Sequence, residues 1–196
     1  MMNKPQLVLD AAGVIVTNFS PLFWKEIIGD SAISFEELKA LFKKEMRLRL
    51  WTGEASLDEF WSWLSERTPQ MDKLHTKRLI DKHLVSLPAF DLIIQWSVQA
   101  DIHILSNHRT EWLAPVLNPI ANNLKSITIS SEAGCCKPDP TIYRLVQSKI
   151  EDPNASVIYV DDQEKNMVEA EKLGWHTIIA DPGGEWVSEI EKQLSL

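Results

Sequence analysis

The sequence has few cysteines and no long apolar run. Its two cysteines, Cys135 and Cys136, are adjacent, and neighbouring cysteines rarely form an unstrained disulfide. We therefore expect two reduced thiols, as in cytoplasmic proteins. No apolar stretch approaches the length that spans a bilayer, and Met-Met-Asn-Lys-Pro leads into a first strand without a signal-peptide pattern. These absences predict a cytoplasmic protein with no membrane partner.

Positive charge is also scarce, and no basic run occurs. The 20 Lys and Arg residues are outnumbered by 28 Asp and Glu, which gives a formal net charge of −8. Because nucleic-acid binding depends on basic patches that neutralise phosphates, we expect no nucleic-acid partner. The 196 residues, 44% of them hydrophobic, are enough for one good core and a small insertion.

Apolar runs of strand length alternate with helical patterns over most of the chain. We predict strands at 6–9, 102–105, 126–130, 157–160 and 175–180, and helices at 91–98, 111–117, 141–148, 164–173 and 185–193. Pro115 should bend or shorten its helix. Repeated strand–helix units predict an α/β fold with a parallel sheet and helices on both faces. The first strand should lie near the middle of that sheet.

The segment from about Thr17 to Leu87 interrupts this alternation, because it contains only helix signals. They are an N-cap and first-position proline at Ser20-Pro21, capping boxes at Ser34/Glu37 and Ser56/Glu59, and a fourth helix at about 71–85. We expect this helical block to project from the carboxyl edge of the sheet, over Asp10.

Polar residues follow three of the predicted strands. Asp10 ends the first, Ser106 ends the second, and Asp161 and Asp162 end the strand at 157–160. A lysine, Lys137, stands just before a helix start. Carboxyl ends of parallel strands meet at one edge of a sheet, where such folds bind their ligands. We therefore expect these five side chains to lie together.

Three carboxylates in one place cannot all stay ionised without a counter-charge. Lys137 supplies one positive charge, and a divalent cation would supply two. Oxygen ligands suit Mg²⁺, which binds through carboxylates, waters and substrate phosphate. The residues thus predict Mg²⁺-assisted phosphoryl transfer, in which Asp10 attacks phosphorus, Lys137 neutralises charge, and Ser106 donates a hydrogen bond to a phosphate oxygen.

The order Asp, Ser, Lys, Asp-Asp resembles the four motifs of the haloacid dehalogenase (HAD) superfamily, and the resemblance covers nearly the whole chain. The segments Lys137-Pro138-Asp139-Pro140 and Val160–Asn166 resemble its phosphatase-type members. Segments 53–60 and 105–107 are similar to its sugar-phosphate phosphatases. The resemblance implies a Rossmann-like core formed by residues 1–16 and 88–196, with an inserted all-helical cap at 17–87.

The resemblance also implies a chemistry. Mg²⁺ would be bound by Asp10, Asp161, Asp162 and the backbone carbonyl of Ala12. The reaction would be hydrolysis of a small phosphorylated metabolite through an aspartyl-phosphate on Asp10. Asn166 matches the amide or acid that follows the acid pair, and it either positions that pair or faces solvent.

Substrate contacts are expected from Ser106, Lys137 and the residues that follow Ser106. Asn107, His108 and Arg109 stand at the mouth of the expected site, where they either contact substrate or form a polar loop. Arg47 and Arg49 either face the substrate or pair with glutamates, and we favour pairing. The many tryptophans of the helical block leave room for a homodimer surface.

Position 12 departs from the pattern of the phosphatases that the chain resembles. Those phosphatases usually carry a second aspartate two residues after the nucleophile. Ala12 cannot ionise, and loss of a positioned general acid–base typically costs ~10²–10⁴ in rate. The chain could be a phosphatase for substrates with a good leaving group, a HAD-fold binding protein with impaired catalysis, or a dehalogenase- or phosphonatase-type hydrolase. A phosphonatase needs a cap lysine, but we interpret Lys39, Lys43 and Lys44 as solvated.

Overall fold

A computed structural model describes residues 4–194; the predicted core termini at 1–3 and 195–196 lie outside the described residues. Five strands form one parallel sheet in the order β3-β2-β1-β4-β5. They are β1 (Gln6–Leu9), β2 (Asp101–Ser106), β3 (Leu124–Ile129), β4 (Val157–Asp161) and β5 (His176–Ile179). The α/β fold and the central place of β1 are therefore confirmed.

Helices fill the connections between these strands. Before β2 come α1 (Pro21–Ile28), α2 (Phe35–Leu41), α3 (Arg47–Trp51), α4 (Leu57–Ser65), α5 (Lys73–His83) and α6 (Ala89–Gln99). After β2 come α7 (Thr110–Leu117), α8 (Ser130–Ala133), α9 (Pro140–Gln147), α10 (Met167–Lys172) and α11 (Glu185–Leu194). In the part of the chain that is described, no helix is both long and apolar enough to cross a membrane.

The sheet is buried on both faces, and β1 shows how its alternation divides the core. Leu7 and Leu9 belong to one hydrophobic cluster, whereas Val8 packs into a second cluster with Tyr143 and Tyr159. Successive strand residues point to opposite faces, so the two clusters are the two helix-covered sides of the sheet. This arrangement explains why β1 is a continuous apolar run.

Helices α1–α5, which we call the helical layer, connect to the sheet through two adjacent backbone segments. Thr17 N–H donates to the Val85 carbonyl (2.9 Å), and Leu87 N–H donates to the Ile15 carbonyl (2.8 Å). The sequence predicted only helices in this region, because pairing between distant backbones leaves no local side-chain pattern. The layer shares one hydrophobic cluster with one face of the sheet, and its division from the core as a cap domain stays a prediction.

The start signals of the layer are confirmed, but one helix differs from expectation. Ser34/Glu37 and Ser56/Glu59 both form capping boxes, and Ser20 caps α1. The expected single helix that carries Phe42 and Met46 is instead interrupted by a π turn, Phe42–Met46, between α2 and α3. A π turn contains one more residue than an α turn, and such turns often occur at functional sites.

Candidate active site

Asp10 stands at the carboxyl end of the central strand, and the turn that follows fixes its side chain. The Ala11 N–H donates to Asp10 Oδ1 (2.7 Å), and only 4% of Asp10 is exposed. Gly13 has φ +88°, and a Cβ there would clash with Asp162 Oδ2. Only glycine combines that backbone conformation with such a close approach. The turn therefore brings Asp162 beside the end of β1.

Lys137 reaches the same point from the loop before α9. Its buried Nζ lies 2.9 Å from Asp10 Oδ2 and 2.6 Å from Asp161 Oδ2, and it donates to the Leu105 carbonyl (3.0 Å). Two carboxylates therefore share one buried ammonium group. Removal of that ammonium would leave both carboxylates without their nearest counter-charge.

Asn107 holds the backbone of Lys137 in place. The Lys137 N–H donates to Asn107 Oδ1 (2.7 Å), and Asn107 Nδ2 donates to the Lys137 carbonyl (2.9 Å). The sequence predicted Asn107 as a substrate contact, and the side chain does line the cavity described below. The reciprocal pair adds a positioning role that the sequence could not show, because 30 residues separate the two partners.

Asp161 is the most heavily bonded of the carboxylates. Asn166 Nδ2 lies 2.9 Å from both of its oxygens, and the Tyr159 hydroxyl donates to Oδ2 (2.5 Å). The structure thus gives Asn166 the positioning arrangement rather than the solvent-facing one. The sequence gave no sign of this role for Tyr159, although residues two apart on a strand lie on the same side of the sheet.

Burial and mutual charge govern the titration of this cluster. Burial raises the pKa of Asp10 to about 7, and the neighbouring Asp161 and Asp162 oppose its ionisation further, whereas Lys137 lowers it. Burial acts to lower the pKa of Lys137, but Asp10 and Asp161 outweigh it and raise that pKa. Lys137 is therefore a fixed positive charge, and burial makes Asp10 a weaker acid than an exposed aspartate.

Oxygen ligands for a cation are also gathered here. Carboxylate oxygens of Asp10, Asp161 and Asp162 lie within 4.8 Å of one another. Asn18 Nδ2 orients Asp162 by donating to its Oδ2 (3.0 Å). Within residues 4–194 no hydrogen bond reaches the Ala12 carbonyl. An all-oxygen set of this kind fits a hard divalent cation such as Mg²⁺.

Ser106 ends β2, the strand next to β1, and is fully buried. Its hydroxyl oxygen has no hydrogen-bond partner among the described residues. An unpaired buried polar atom costs about 1–3 kcal/mol, which a ligand oxygen would recover. Ser106 does not itself line the cavity, whereas the two residues after it do.

His108 and Arg109 have different surroundings. The His108 ring packs against Phe19, Trp51 and Trp112, with centroids 5.3–5.8 Å away, and burial lowers its pKa to about 4. A neutral imidazole therefore faces the cavity. Arg109 does not line it: its Nη1 donates to the Leu50 and Ala55 carbonyls (3.3 and 3.2 Å).

Arg109 thereby ties the helical layer to the end of β2. Its remaining nitrogens donate to the two carboxylate oxygens of Glu111 (3.1 and 2.6 Å). The guanidinium group is thus occupied by protein partners on both sides. This placement favours a structural role over the expected substrate contact.

A cavity of about 1050 Å³ lies over Asp10, between the strand ends and the helical layer. Asp10, Asn107 and Lys137 line one side, and Lys39 and Lys43 line the other. The two cysteines, which are free thiols, also line it. Lys39 and Lys43 therefore face this space, although the sequence gave no reason to separate them from other solvated lysines.

Arg47 and Arg49, two residues apart, face different ways. Arg47 lines the cavity, whereas Arg49 is ion-paired with Glu54 and Glu59 (3.1 and 3.0 Å). The preference for pairing with glutamate therefore describes Arg49 alone. Residues two apart on a helix point in different directions, which explains the difference.

Solved structures of similar shape cover almost the entire chain. A predicted HAD-like family hydrolase from Porphyromonas gingivalis has a TM-score of 0.78 and 22% identity, with 98% of both chains covered. A HAD family enzyme from Bacteroides thetaiotaomicron has a TM-score of 0.79 and 20% identity, with 96% of this chain and 98% of that chain covered. The Bacteroides enzyme has also been crystallised with magnesium and inorganic phosphate.

Other comparisons are more distant or shorter. An L-2-haloacid dehalogenase has a TM-score of 0.63 and 15% identity over 90% of this chain and 84% of that chain. A 61-residue stretch is 38% identical to acyl-CoA dehydrogenase family member 10 of Mus musculus. That stretch is 31% of this chain but only 6% of the mouse protein. No protein-family model matches the chain.

The likeness to these solved structures covers 96–98% of this chain and therefore includes both the sheet and the helical layer. The chain therefore has the fold of the haloacid dehalogenase-like hydrolases.

Proposed function

We propose that this protein is a Mg²⁺-dependent phosphatase that hydrolyses a small phosphorylated metabolite through an aspartyl-phosphate on Asp10. The buried ion pair between Asp10 and Lys137 (2.9 Å) carries the proposal, because it places a nucleophile beside a fixed positive charge. The magnesium and phosphate complex of the similar Bacteroides enzyme supports it. The free cysteines support a reducing, cytoplasmic location.

Mg²⁺ would be held by Asp10, Asp162 and the Ala12 carbonyl. Asp161 is already bonded to Lys137, Tyr159 and Asn166, so it would act at the metal site chiefly through its charge. When bound, the cation supplies positive charge that favours the ionised form of Asp10 and offsets the charge of the phosphate.

The proposed reaction has two steps. An oxygen of Asp10 attacks phosphorus, so that an Asp10–phosphorus bond forms while the bond from phosphorus to the leaving oxygen breaks. Lys137 offsets negative charge on the transferring group, and Ser106 donates its unpaired hydroxyl to a phosphate oxygen. A water molecule then attacks phosphorus while the Asp10–phosphorus bond breaks, which restores the carboxylate; the protons of the water leave with the inorganic phosphate.

The leaving group must take its proton without help from residue 12. Asp139 is the other carboxylate among the described cavity-lining residues, and it is occupied as the N-cap of α9, accepting from the Thr141 N–H (2.8 Å). We therefore propose substrates whose leaving group needs little protonation, such as an anomeric sugar phosphate or an acyl phosphate.

The direct test is hydrolysis of p-nitrophenyl phosphate, whose leaving group needs no acid, with and without Mg²⁺. We expect Mg²⁺-dependent release of p-nitrophenol by the wild type and none by Asp10→Asn. Asp139→Asn is the matched control, because it also changes a carboxylate of the cavity but asparagine remains a good N-cap. It should retain wild-type activity. Equal rates for Asp10→Asn and the wild type would exclude Asp10 as the nucleophile.

Ala12 favours a second candidate, a binding protein on the same fold with impaired turnover. Ala12→Asp separates the two. An active wild type establishes the phosphatase, whereas an inactive wild type that gains Mg²⁺-dependent turnover through Ala12→Asp supports the binding protein. If both are inactive towards aryl phosphate, hydrolysis of 2-haloacids and phosphonates should be measured next.

A further inference from the structure

The lining of the cavity has a net charge opposite in sign to that of the whole protein. Among the described residues that line the cavity, the cationic ones are Lys39, Lys43, Arg47, Lys137 and Lys165, and the anionic ones are Asp10 and Asp139. The lining thus has a formal excess of three positive charges, whereas the chain carries −8. Such an excess indicates an anionic ligand.

Three of these cations belong to the helical layer and have no acidic partner. Lys39, Lys43 and Arg47 are exposed and form no ion pair among the described residues. On other faces of the layer, Arg67 pairs with Glu45 (2.9 Å) and Lys73 pairs with Asp58 (2.6 Å). Lys39 Nζ lies over the Phe35 ring, 4.9 Å from its centroid, but no carboxylate among the described residues neutralises any of the three charges. They are therefore available to an anionic ligand.

The backbone keeps these three residues on one face. They follow one another at intervals of four along α2, the π turn and α3, so the row is about 12 Å long. In a straight α-helix a row with this spacing rotates steadily around the axis. The extra residue of the π turn rotates the chain in the opposite sense, which explains why Arg47 still lines the cavity.

The scissile phosphate accounts for only part of this charge and volume. Lys137 already neutralises charge at the end of the cavity where Asp10 lies. The cavity, of about 1050 Å³, is also at the upper end of the size range of small-molecule sites. We propose that Lys39, Lys43 and Arg47 bind a second phosphate group of the substrate, so that the physiological substrate is a bisphosphorylated metabolite. This inference rests on the proposed phosphatase function.

Three related substrates test it: glucose 1-phosphate, glucose 1,6-bisphosphate and glucuronic acid 1-phosphate, which carries a carboxylate in place of the second phosphate. The wild type should show a kcat/KM at least ~10-fold higher for the bisphosphate than for the monophosphate. Equal values would overturn the inference. A carboxylate compound as good as the bisphosphate would overturn the assignment to phosphate.

Neighbouring lysines provide a matched pair of variants. Lys43 lines the cavity and Lys44 does not, although both are exposed in the same π turn. Lys43→Gln should lower the bisphosphate preference ~5-fold, and Lys44→Gln should leave it unchanged. If the two variants behave alike, the position of Lys43 in the cavity lining does not matter for the preference, and the inference fails.

Binding without turnover separates this inference from the proposed function. Titration calorimetry on Asp10→Asn should show tighter binding of the bisphosphate than of the monophosphate, and addition of Lys39→Gln, Lys43→Gln and Arg47→Gln should remove the difference. Lack of hydrolysis by the wild type would contradict the phosphatase alone. Equal affinities in Asp10→Asn would contradict the second phosphate site.

Discussion

The two sides of the cavity are built on opposite principles. At the strand ends, Asp10, Lys137 and Asp161 are buried and bonded to one another. On the helical layer, Lys39 and Lys43 are exposed and have no ion-pair partner within residues 4–194. The side chains of the first side are held in place by their own ion pairs and hydrogen bonds, as catalytic groups need to be. The second side has cationic groups without acidic partners, which suits recognition of a ligand.

The largest expected effect comes from removing the fixed charge. Lys137→Met leaves Asp10 and Asp161 buried without their counter-charge, so the free energy of unfolding at pH 7 should fall by about 3–5 kcal/mol and activity should be lost. Denaturant unfolding measures the change. The control is Lys43→Met on the other side, which should alter stability by less than ~0.5 kcal/mol. Similar losses for both would show that the two sides do not differ as described.

Addition of Asp10→Asn to Lys137→Met sharpens that result. The double variant has one fewer unpaired buried carboxylate, so it should regain part of the lost unfolding free energy. A double variant less stable than Lys137→Met would show that hydrogen bonding of the Asp10 carboxylate, rather than charge pairing, holds this side together.

The second largest effect is expected from acid, which should lower the free energy of unfolding through the buried His108. The pKa of His108 is about 4 in the folded protein because the ring is buried, against about 6.5 in the unfolded chain. The unfolded state therefore takes up a proton first, so this contribution to stability is complete above pH 6.5 and falls as the pH drops towards 4. At pH 5 the loss is ~2 kcal/mol. His108→Phe should reduce the difference in unfolding free energy between pH 8 and pH 5 by about that amount.

The control for this pH effect is the exposed His75, which lies outside the cavity. His75→Phe should leave the pH dependence of stability unchanged. If His108→Phe also leaves it unchanged, protonation of His108 does not account for the acid sensitivity.

A smaller effect is expected from the amide that positions Lys137. Asn107→Ala removes both of its hydrogen bonds to the Lys137 backbone, and we expect ~10-fold lower kcat with a loss of ~1 kcal/mol in stability. The Mg²⁺ concentration that gives half-maximal activity should change little, because Asn107 is not an expected metal ligand. Wild-type kcat in Asn107→Ala would show that Lys137 is positioned by other contacts.

The smallest effect on stability is expected on the helical layer. Lys39→Gln, Lys43→Gln and Arg47→Gln together remove repulsion between neighbouring cations and break no ion pair of the part of the chain that is described, so Tm should stay within about 2 °C of the wild type or rise. Thermal unfolding without ligand measures this. A clear fall in Tm would mean that these cations stabilise the layer rather than recognise a ligand.

The elements whose signals lie within a few residues of one another could be predicted from the sequence. The capping serines and Asp10 after an apolar strand are short-range signals, and each predicted the correct element. The roles of Asn107, Tyr159 and Arg109 depend on partners that the fold brings near, such as the Leu50 carbonyl 59 residues from Arg109. The division between Lys43 and Lys44 depends on the rotation of a π turn, which side-chain periodicity does not reveal.

The contacts of Arg109 also determine how readily the cavity can widen. Two sets of hydrogen bonds join the helical layer to the rest of the chain, in addition to apolar packing: the backbone pairing near Thr17 and Val85, and the two bonds that Arg109 donates to layer carbonyls. Movement of the layer about the first set must break the second, at about 1.5–3 kcal/mol for each hydrogen bond to a charged group. Arg109 therefore opposes widening of the cavity from a position outside its lining.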